Sequence, residues 1–242
     1  MQKPLVGISK CLLGENVRYD GGHQLDRFLR DILGRYVDFV PVCPEVECGL
    51  SIPREAMRLV DIDGEIRLRT RKTDIDMTDK MVRWMNIRLQ ELAELPLCGF
   101  IFKAKSPSSG LKRIKVYTSR GVRNDGTGIF AGGFTRAFPH VPVEEDGRLH
   151  DARLRENFIE RIFVMQRWYA LNSKKKTPGS LMKFHEQHKY LLMAHCPKTL
   201  KILGQLVAAG KGQNMSDLYE KYLDHFCLLY TSPSPRDRTR SR

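Results

Sequence analysis

Three short apolar runs constrain this chain most. Leu5-Val6-Gly7-Ile8-Ser9, Asp38-Phe39-Val40-Pro41-Val42 and Cys98-Gly99-Phe100-Ile101-Phe102 each read as a buried strand. Each runs into a loop of reactive residues. The first meets Cys11. The second meets Cys43, then Glu45 and Cys48. The third meets Ser106-Pro107-Ser108-Ser109-Gly110. Between them, residues 24–36 and 77–94 have helical spacing. Residues 57–70 alternate around Asp63-Gly64, which predicts a hairpin, and Ile114–Thr118 reads as a fourth strand before a helix over 128–138. This alternation predicts a Rossmann-like, largely parallel α/β sheet domain over residues 1–150. Open parallel sheets bind ligands outside the carboxyl ends of their strands. Cys11, Cys43, Glu45, Cys48 and Ser106 are therefore expected in one crevice.

From about residue 151 the pattern changes. Residues 152–171, 180–195, 197–209 and 214–226 are all helical in period, so an all-helical C-terminal segment is expected over 151–227. Residues 228–242 have no helical period and resemble a translated sequencing adapter, so they are set apart from the fold.

Hydrophobic residues are 41% of the 242, enough for a core and too many for a disordered chain. No apolar run is long enough for a membrane helix, and no signal-peptide stretch follows Met1, so a cytoplasmic location is expected. The cysteines at 11, 43, 48, 98, 196 and 227 are then no disulfide framework. Net charge is +13. Residues 1–165 hold 27 Lys/Arg against 23 Asp/Glu, residues 166–227 hold 10 against 4, and the last fifteen hold 4 against 1. The surplus sits toward the C-terminus and favours an anionic partner, nucleic acid foremost.

Three thiols in a crevice suit zinc or an iron–sulfur cluster. Cys98 and Cys196, on apolar faces, read as core residues. Glu45 reads equally as a catalytic carboxylate and as a salt-bridged one, and Ser106 as a turn serine. His185 and His188, spaced i and i+3, read as a packed face or an RNA contact rather than a metal pair. His195 reads as a helix-end cap.

Longer motifs go further. Gly7-Ile8-Ser9-Lys10-Cys11-Leu12-Leu13-Gly14, Arg18-Tyr19-Asp20-Gly21-Gly22-His23, Val42-Cys43-Pro44-Glu45, Pro53-Arg54-Glu55, Ser106-Pro107-Ser108 and Pro142–Leu149 resemble domain-of-unknown-function family 523 (DUF523), which holds the TudS-type thiouracil desulfidases. Phe184–His195 resembles family 1722 (DUF1722), the YbgA-like domain. The fusion is similar to the RudS-type enzymes, which desulfurate 4-thiouridine in tRNA, with the family 1722 part cut short at the tail. The resemblance implies a 4Fe–4S cluster held by three cysteines, with one open iron that takes the thiocarbonyl sulfur while water replaces it, without net redox change. It implies Glu45 as the proton-transfer group and Ser106 as a relay or positioning residue. Lys10, Ser108 and Ser109 are the expected substrate contacts. Thiolated uracil or tRNA is the implied substrate, and tRNA modification the implied role, with the basic helices holding tRNA phosphates.

One departure matters. The family loop reads Ser-Pro-Ser-Cys-Gly, and here its cysteine is Ser109. Cys11 and Cys43 match two ligands, and Cys48 is the expected replacement for the third. The other readings are a weaker site completed by Ser109, a catalytically inactive RNA-binding protein, and a structural zinc protein.

Overall fold

A computed structural model describes residues 2–195, 197–210 and 212–231, the side chains of 195 and 227–231 excepted. The expectations for Cys196, the His195 cap, the Cys227 side chain and the tail beyond Thr231 fall outside the described residues. The chain divides into two compact units, 1–166 and 167–242.

The first unit is built on a four-stranded parallel sheet. Its strands are β1 (Leu5–Ser9), β2 (Asp38–Val42), β5 (Leu97–Phe102) and β8 (Val143–Glu145), in the order β2-β1-β5-β8. β5 is buried at every residue, the pattern of a strand covered on both faces. Phe100 and Phe102 stack at 4.1 Å and pack with Phe130 and Phe134 of helix α3 (Ile129–Ala137). Each such ring, fully buried, contributes roughly 1.5–3 kcal/mol. Gly7 and Gly99 leave room on opposite sides of this sheet. A Cβ at Gly7 would meet Phe100 at 2.2 Å, and one at Gly99 would meet Ile162 at 2.5 Å.

The expected hairpin is β3 (Met57–Ile62) with β4 (Glu65–Thr70), turning at Asp63-Gly64 with both residues at positive φ. The strand expected at 114–118 is β6 (Ile114–Thr118). It does not extend the first sheet but joins a second one, order β4-β3-β6-β7, with β7 (Gly121–Gly126). The reason lies in its alternation. Ile114 and Val116 are buried while Lys115 is exposed, so only one face seeks a core. That face packs with Leu59, Leu68 and Met81.

Helix α2 (Thr78–Ala93) buries Met81, Met85 and Leu92. At its start Asp76 Oδ1 accepts the Thr78 N–H at 2.8 Å. Residues 24–36 do not form a regular α-helix. They make a π turn at Phe28–Ile32 followed by a 3-10 turn at Leu33–Arg35, burying Leu29 and Leu33.

The helices after residue 151 are α4 (Ala152–Asn172), α5 (Pro178–His195), α6 (Pro197–Ala208) and α7 (Met215–Thr231). α4 spans the division between the units, beyond the boundary expected at 150, and α7 carries helical backbone into 228–231. In the second unit Trp168, Phe184, Tyr219, Tyr222 and Phe226 bury one aromatic cluster. His188 belongs to it. Its Nδ1 bonds the Phe184 carbonyl at 2.7 Å, and its Nε2 accepts from Arg167 Nε at 3.0 Å. His185 Nδ1 lies 3.1 Å from the Tyr222 hydroxyl. Both histidines are packed, and their pKa values fall mainly through burial. Among the described residues no helix is long and apolar enough to cross a membrane.

Candidate active site

The carboxyl ends of β1, β2, β5 and β8 meet because their strands are parallel neighbours, and side chains then lock them. Ser9 Oγ accepts the Lys103 N–H at 2.9 Å, joining β1 to β5. Asp146, just after β8, accepts the Ala104 N–H at 2.7 Å and the Lys103 ammonium at 2.8 Å. Over these ends lies a cavity of about 380 Å³, lined among others by Cys11, Cys43, Glu45, Ser106, Ser108 and Ser109. β1 pairs with β2 on one side and β5 on the other, so the cavity sits at the switch point of the sheet.

Glu45 is the best-held group in it. Arg54 Nε and Nη2 both donate to its Oε2, at 2.8 and 2.5 Å. Ser108 Oγ donates to its Oε1 at 2.9 Å. Ser106 Oγ lies 2.9 Å from Ser108 Oγ. A hydroxyl chain thus runs from Ser106 at the cavity to a carboxylate, and a proton can move along it. Arg54 is itself buried and anchored by the Val17 carbonyl at 2.8 Å. Sequence reasoning assigned Arg54 no role, although it stands in the Pro53-Arg54-Glu55 motif. The same holds for Lys103 and Asp146.

The serine loop is set by the start of α3. Phe130 and Ala131 N–H groups donate to the Ser108 carbonyl at 2.9 and 3.3 Å, and Ile129 N–H to that of Pro107 at 3.2 Å. Gly128 makes this approach possible. A Cβ there would stand 2.6 Å from the Ser108 backbone. Within the loop, Ser106 Oγ accepts the N–H of Ser108 and of Ser109, so the loop is a serine turn and its first hydroxyl also faces the cavity.

The thiols are not all together. Cys11, in a 3-10 turn over Lys10–Leu13, and Cys43, directly before the short helix α1 (Pro44–Glu47), line the cavity. Burial pushes Cys11 up to about 11, and the neighbouring Cys43 adds to the rise. Burial raises Cys43 as well. Two buried thiols side by side resist ionising unless a cation compensates them. The structure does not bring Cys48 to this cavity. Its Sγ donates to the Glu45 carbonyl at 3.2 Å, and it sits in the apolar cluster of Met57, Leu59 and Met81. The one-turn helix Pro44–Glu47 separates it from Cys43 in the chain, and it is not among the residues that line the cavity. Ser109, buried in the loop, lines the cavity instead. Lys10 lines the cavity with its ammonium 3.1 Å from Glu47. Cys98 is buried, bonds the Pro96 carbonyl at 3.4 Å and is raised to about 11 by burial, the core residue expected.

A 4Fe–4S group finds two thiols and one hydroxyl here. Among the described residues no set of three or more His, Cys, Asp or Glu side chains is gathered to hold a metal ion. The cavity therefore offers two thiols, one fewer than the three-cysteine set.

A switch-point crevice with two thiols and a half-buried carboxylate defines the class, and the chain belongs to the family described as 2-thiouracil desulfurase, whose model matches residues 6–146. A second model, a protein of unknown function (DUF1722), matches residues 189–240. In structure the chain is similar to TudS, a 4Fe–4S-dependent thiouracil desulfidase, at a TM-score of 0.50 and 28% identity, covering 64% of this chain and 97% of that one. It is 27% identical to the uncharacterized protein YbbK of Bacillus subtilis, over 52% of this chain and 87% of YbbK. It is 30% identical to the uncharacterized protein YbgA of Escherichia coli, over 36% of this chain, and spans about half the length of YbgA, 53%.

Proposed function

We propose that this protein removes sulfur from thiolated uracil, with 4-thiouridine in tRNA as the substrate and uridine and sulfide as products. The observation that carries this is the Ser106–Ser108–Glu45–Arg54 chain opening beside Cys11 and Cys43 in a chain of the 2-thiouracil desulfurase family. The relative that depends on a 4Fe–4S cluster supports the same cofactor here, with Cys11 and Cys43 as its ligands. Such a cluster supplies a Lewis-acidic iron for the sulfur. The base loses its C=S bond and gains C=O from water, and sulfur leaves as sulfide with the protons of that water. No electron is gained or lost overall.

The protein's own residues handle position and proton. Ser106 meets the cavity water and passes a proton through Ser108 to Glu45 Oε1. Arg54 keeps Oε2 occupied, so Oε1 alone serves the relay. Lys10, Ser108 and Ser109 border the base. The 380 Å³ cavity is the size of a small-molecule site, which suits one base turned out of a strand. The reaction takes place in the cytoplasm, where tRNA is found. In this reading residues 1–150 carry the chemistry and the YbgA-like helices follow, the second family match reaching residue 240, past the 227 expected from the sequence.

The test is sulfide release from 4-thiouracil, 4-thiouridine and 4-thiouridine-containing tRNA by anaerobically purified, iron-loaded protein. Release from tRNA above the free base supports the proposal; release from none of the three overturns it. Ser109, a serine in the cavity wall, favours one other reading, a catalytically inactive RNA-binding protein, which would bind tRNA and release nothing.

A further inference from the structure

Beside the first cavity lies a second, of about 500 Å³, on the sheet of β3, β6 and β7. The two share Met57, Arg71, Lys105 and Pro107 in their walls, so they are direct neighbours. The second is lined by five cations, Arg58, Arg71, Lys105, Arg113 and Lys115, and by no carboxylate.

These charges are mostly uncompensated. Arg71, Lys105, Arg113 and Lys115 are exposed, and among the described residues none has an acidic partner. Elsewhere on the same sheet the cations are matched: Arg67 with Glu65 at 2.6 Å, Arg69 with Asp74 at 3.2 Å and Arg123 with Asp61 at 3.0 Å. Pairing thus thins out at the cavity, where only Arg58 has an acidic partner among the described residues. Arg58 is intermediate. It reaches Asp74 at 3.4 Å and stacks 5.4 Å over Tyr117, while its buried Nε has no partner among the described residues.

Backbone geometry aims two of them. Lys105 and Arg113 adopt φ of 61° and 56°, a left-handed conformation few non-glycine residues take. They stand at the two ends of the serine loop that carries Ser106, Ser108 and Ser109. Strand register adds Lys115: it follows buried Ile114 and precedes buried Val116, and so faces outward with Arg58.

We propose that this cationic cavity binds the phosphodiester backbone of a single-stranded polyribonucleotide, leading its thiolated base into the neighbouring cavity. The inference rests on the function proposed above and deepens it by naming where the strand's phosphates are held, in the second cavity and not on the C-terminal helices. Phosphate contacts position a strand without reading its sequence, which is the work of unpaired, convergent Arg and Lys. Four uncompensated cations at the mouth exceed what one terminal phosphate needs. The basic surplus of the whole sequence lies toward the C-terminus, yet this grip is in the first unit, where the excess is small but segregated.

The test is fluorescence anisotropy of a labelled, unmodified oligouridylate on the full chain over a range of salt concentration, with uridine 5′-monophosphate as competitor. Binding needs no turnover, so it reads this inference apart from the desulfidase reading. The variant Arg113→Gln/Lys115→Gln is expected to bind at least 10-fold more weakly. Its slope of log K against log salt should fall by about 0.7 for each phosphate no longer neutralised. Arg113→Lys should keep most of the affinity, and Arg27→Gln/Arg35→Gln, an equal loss of charge at residues that line neither cavity, should keep all of it. An unchanged slope in Arg113→Gln/Lys115→Gln would overturn the proposal. So would the mononucleotide competing as tightly as the oligomer, which would mean a single terminal phosphate is held.

Discussion

Arg54 clasps Glu45 from two nitrogens of one guanidinium, at 2.8 and 2.5 Å, and both land on the same carboxylate oxygen. The other oxygen is left to Ser108. The carboxylate is thereby fixed in rotation, with one oxygen structural and one facing the hydroxyl relay. Glu45→Gln keeps the shape and removes the base. Turnover is expected to fall by about 100-fold or more, the usual scale of a lost general acid–base group, with iron content unchanged. Arg54→Met leaves a half-buried carboxylate without its cation and should cost about 1–3 kcal/mol in a denaturant titration. Wild-type turnover in Glu45→Gln would remove the relay from the mechanism.

The third corner of the thiol site is decided by where two side chains point. Ser109 stands in the cavity wall, and Cys48 is turned into the apolar cluster. Cys48→Ser is therefore expected to leave iron and acid-labile sulfide per chain as in the wild type. Ser109→Cys is expected to raise both, since it supplies a third thiol beside Cys11 and Cys43. Loss of iron in Cys48→Ser would return Cys48 to the ligand set.

Gly128 holds the serine loop against α3 with no space for a methyl group. Gly128→Ala should destabilise the protein by roughly 1–3 kcal/mol, the scale of an overpacked site. It should also lower turnover, because the carbonyls of Pro107 and Ser108 lose their register on the helix start. Gly147→Ala, where a Cβ meets nothing within 4 Å, is the control that should do neither. Melting curves and sulfide release on both variants check this.

His188 makes the helical unit sensitive to acid. It is buried against Phe184 and Phe226, with Arg167 and His185 as its charged or titratable neighbours, and its pKa is lowered chiefly by burial. A histidine held below its ordinary value contributes its full stability above about pH 6.5, where both states are neutral. That stability falls as pH drops through about 6.5 toward the folded value, because the unfolded chain takes up the proton first. The melting temperature of wild type should thus drop faster between about pH 7 and 5 than that of His188→Gln. Equal slopes in the two proteins would show that His188 takes up its proton equally in both states.

Much of this was legible in the residues alone, for a local reason. Strands β1, β2 and β5 are written as continuous apolar runs, and a parallel sheet must bring their ends together, so Cys11, Cys43, Glu45 and Ser106 could be placed in one crevice without coordinates. Helices α2 and α4–α7 are equally local, because a 3.6-residue period reports which face is buried. What needed the tertiary structure was direction and partnership across long separations. Cys48 is five residues from Cys43, yet its thiol sits in the apolar cluster of Met57, Leu59 and Met81 and not in the cavity wall. Arg54 reaches Glu45 only because the chain after α1 doubles back. β6 looked like a fourth parallel strand, but its one-sided burial seats it in a second sheet. The cations of Arg71, Lys105, Arg113 and Lys115 are scattered along the chain and vanish in a net charge. Only the folded chain gathers them, because charge segregation is a property of surfaces and not of sequence order.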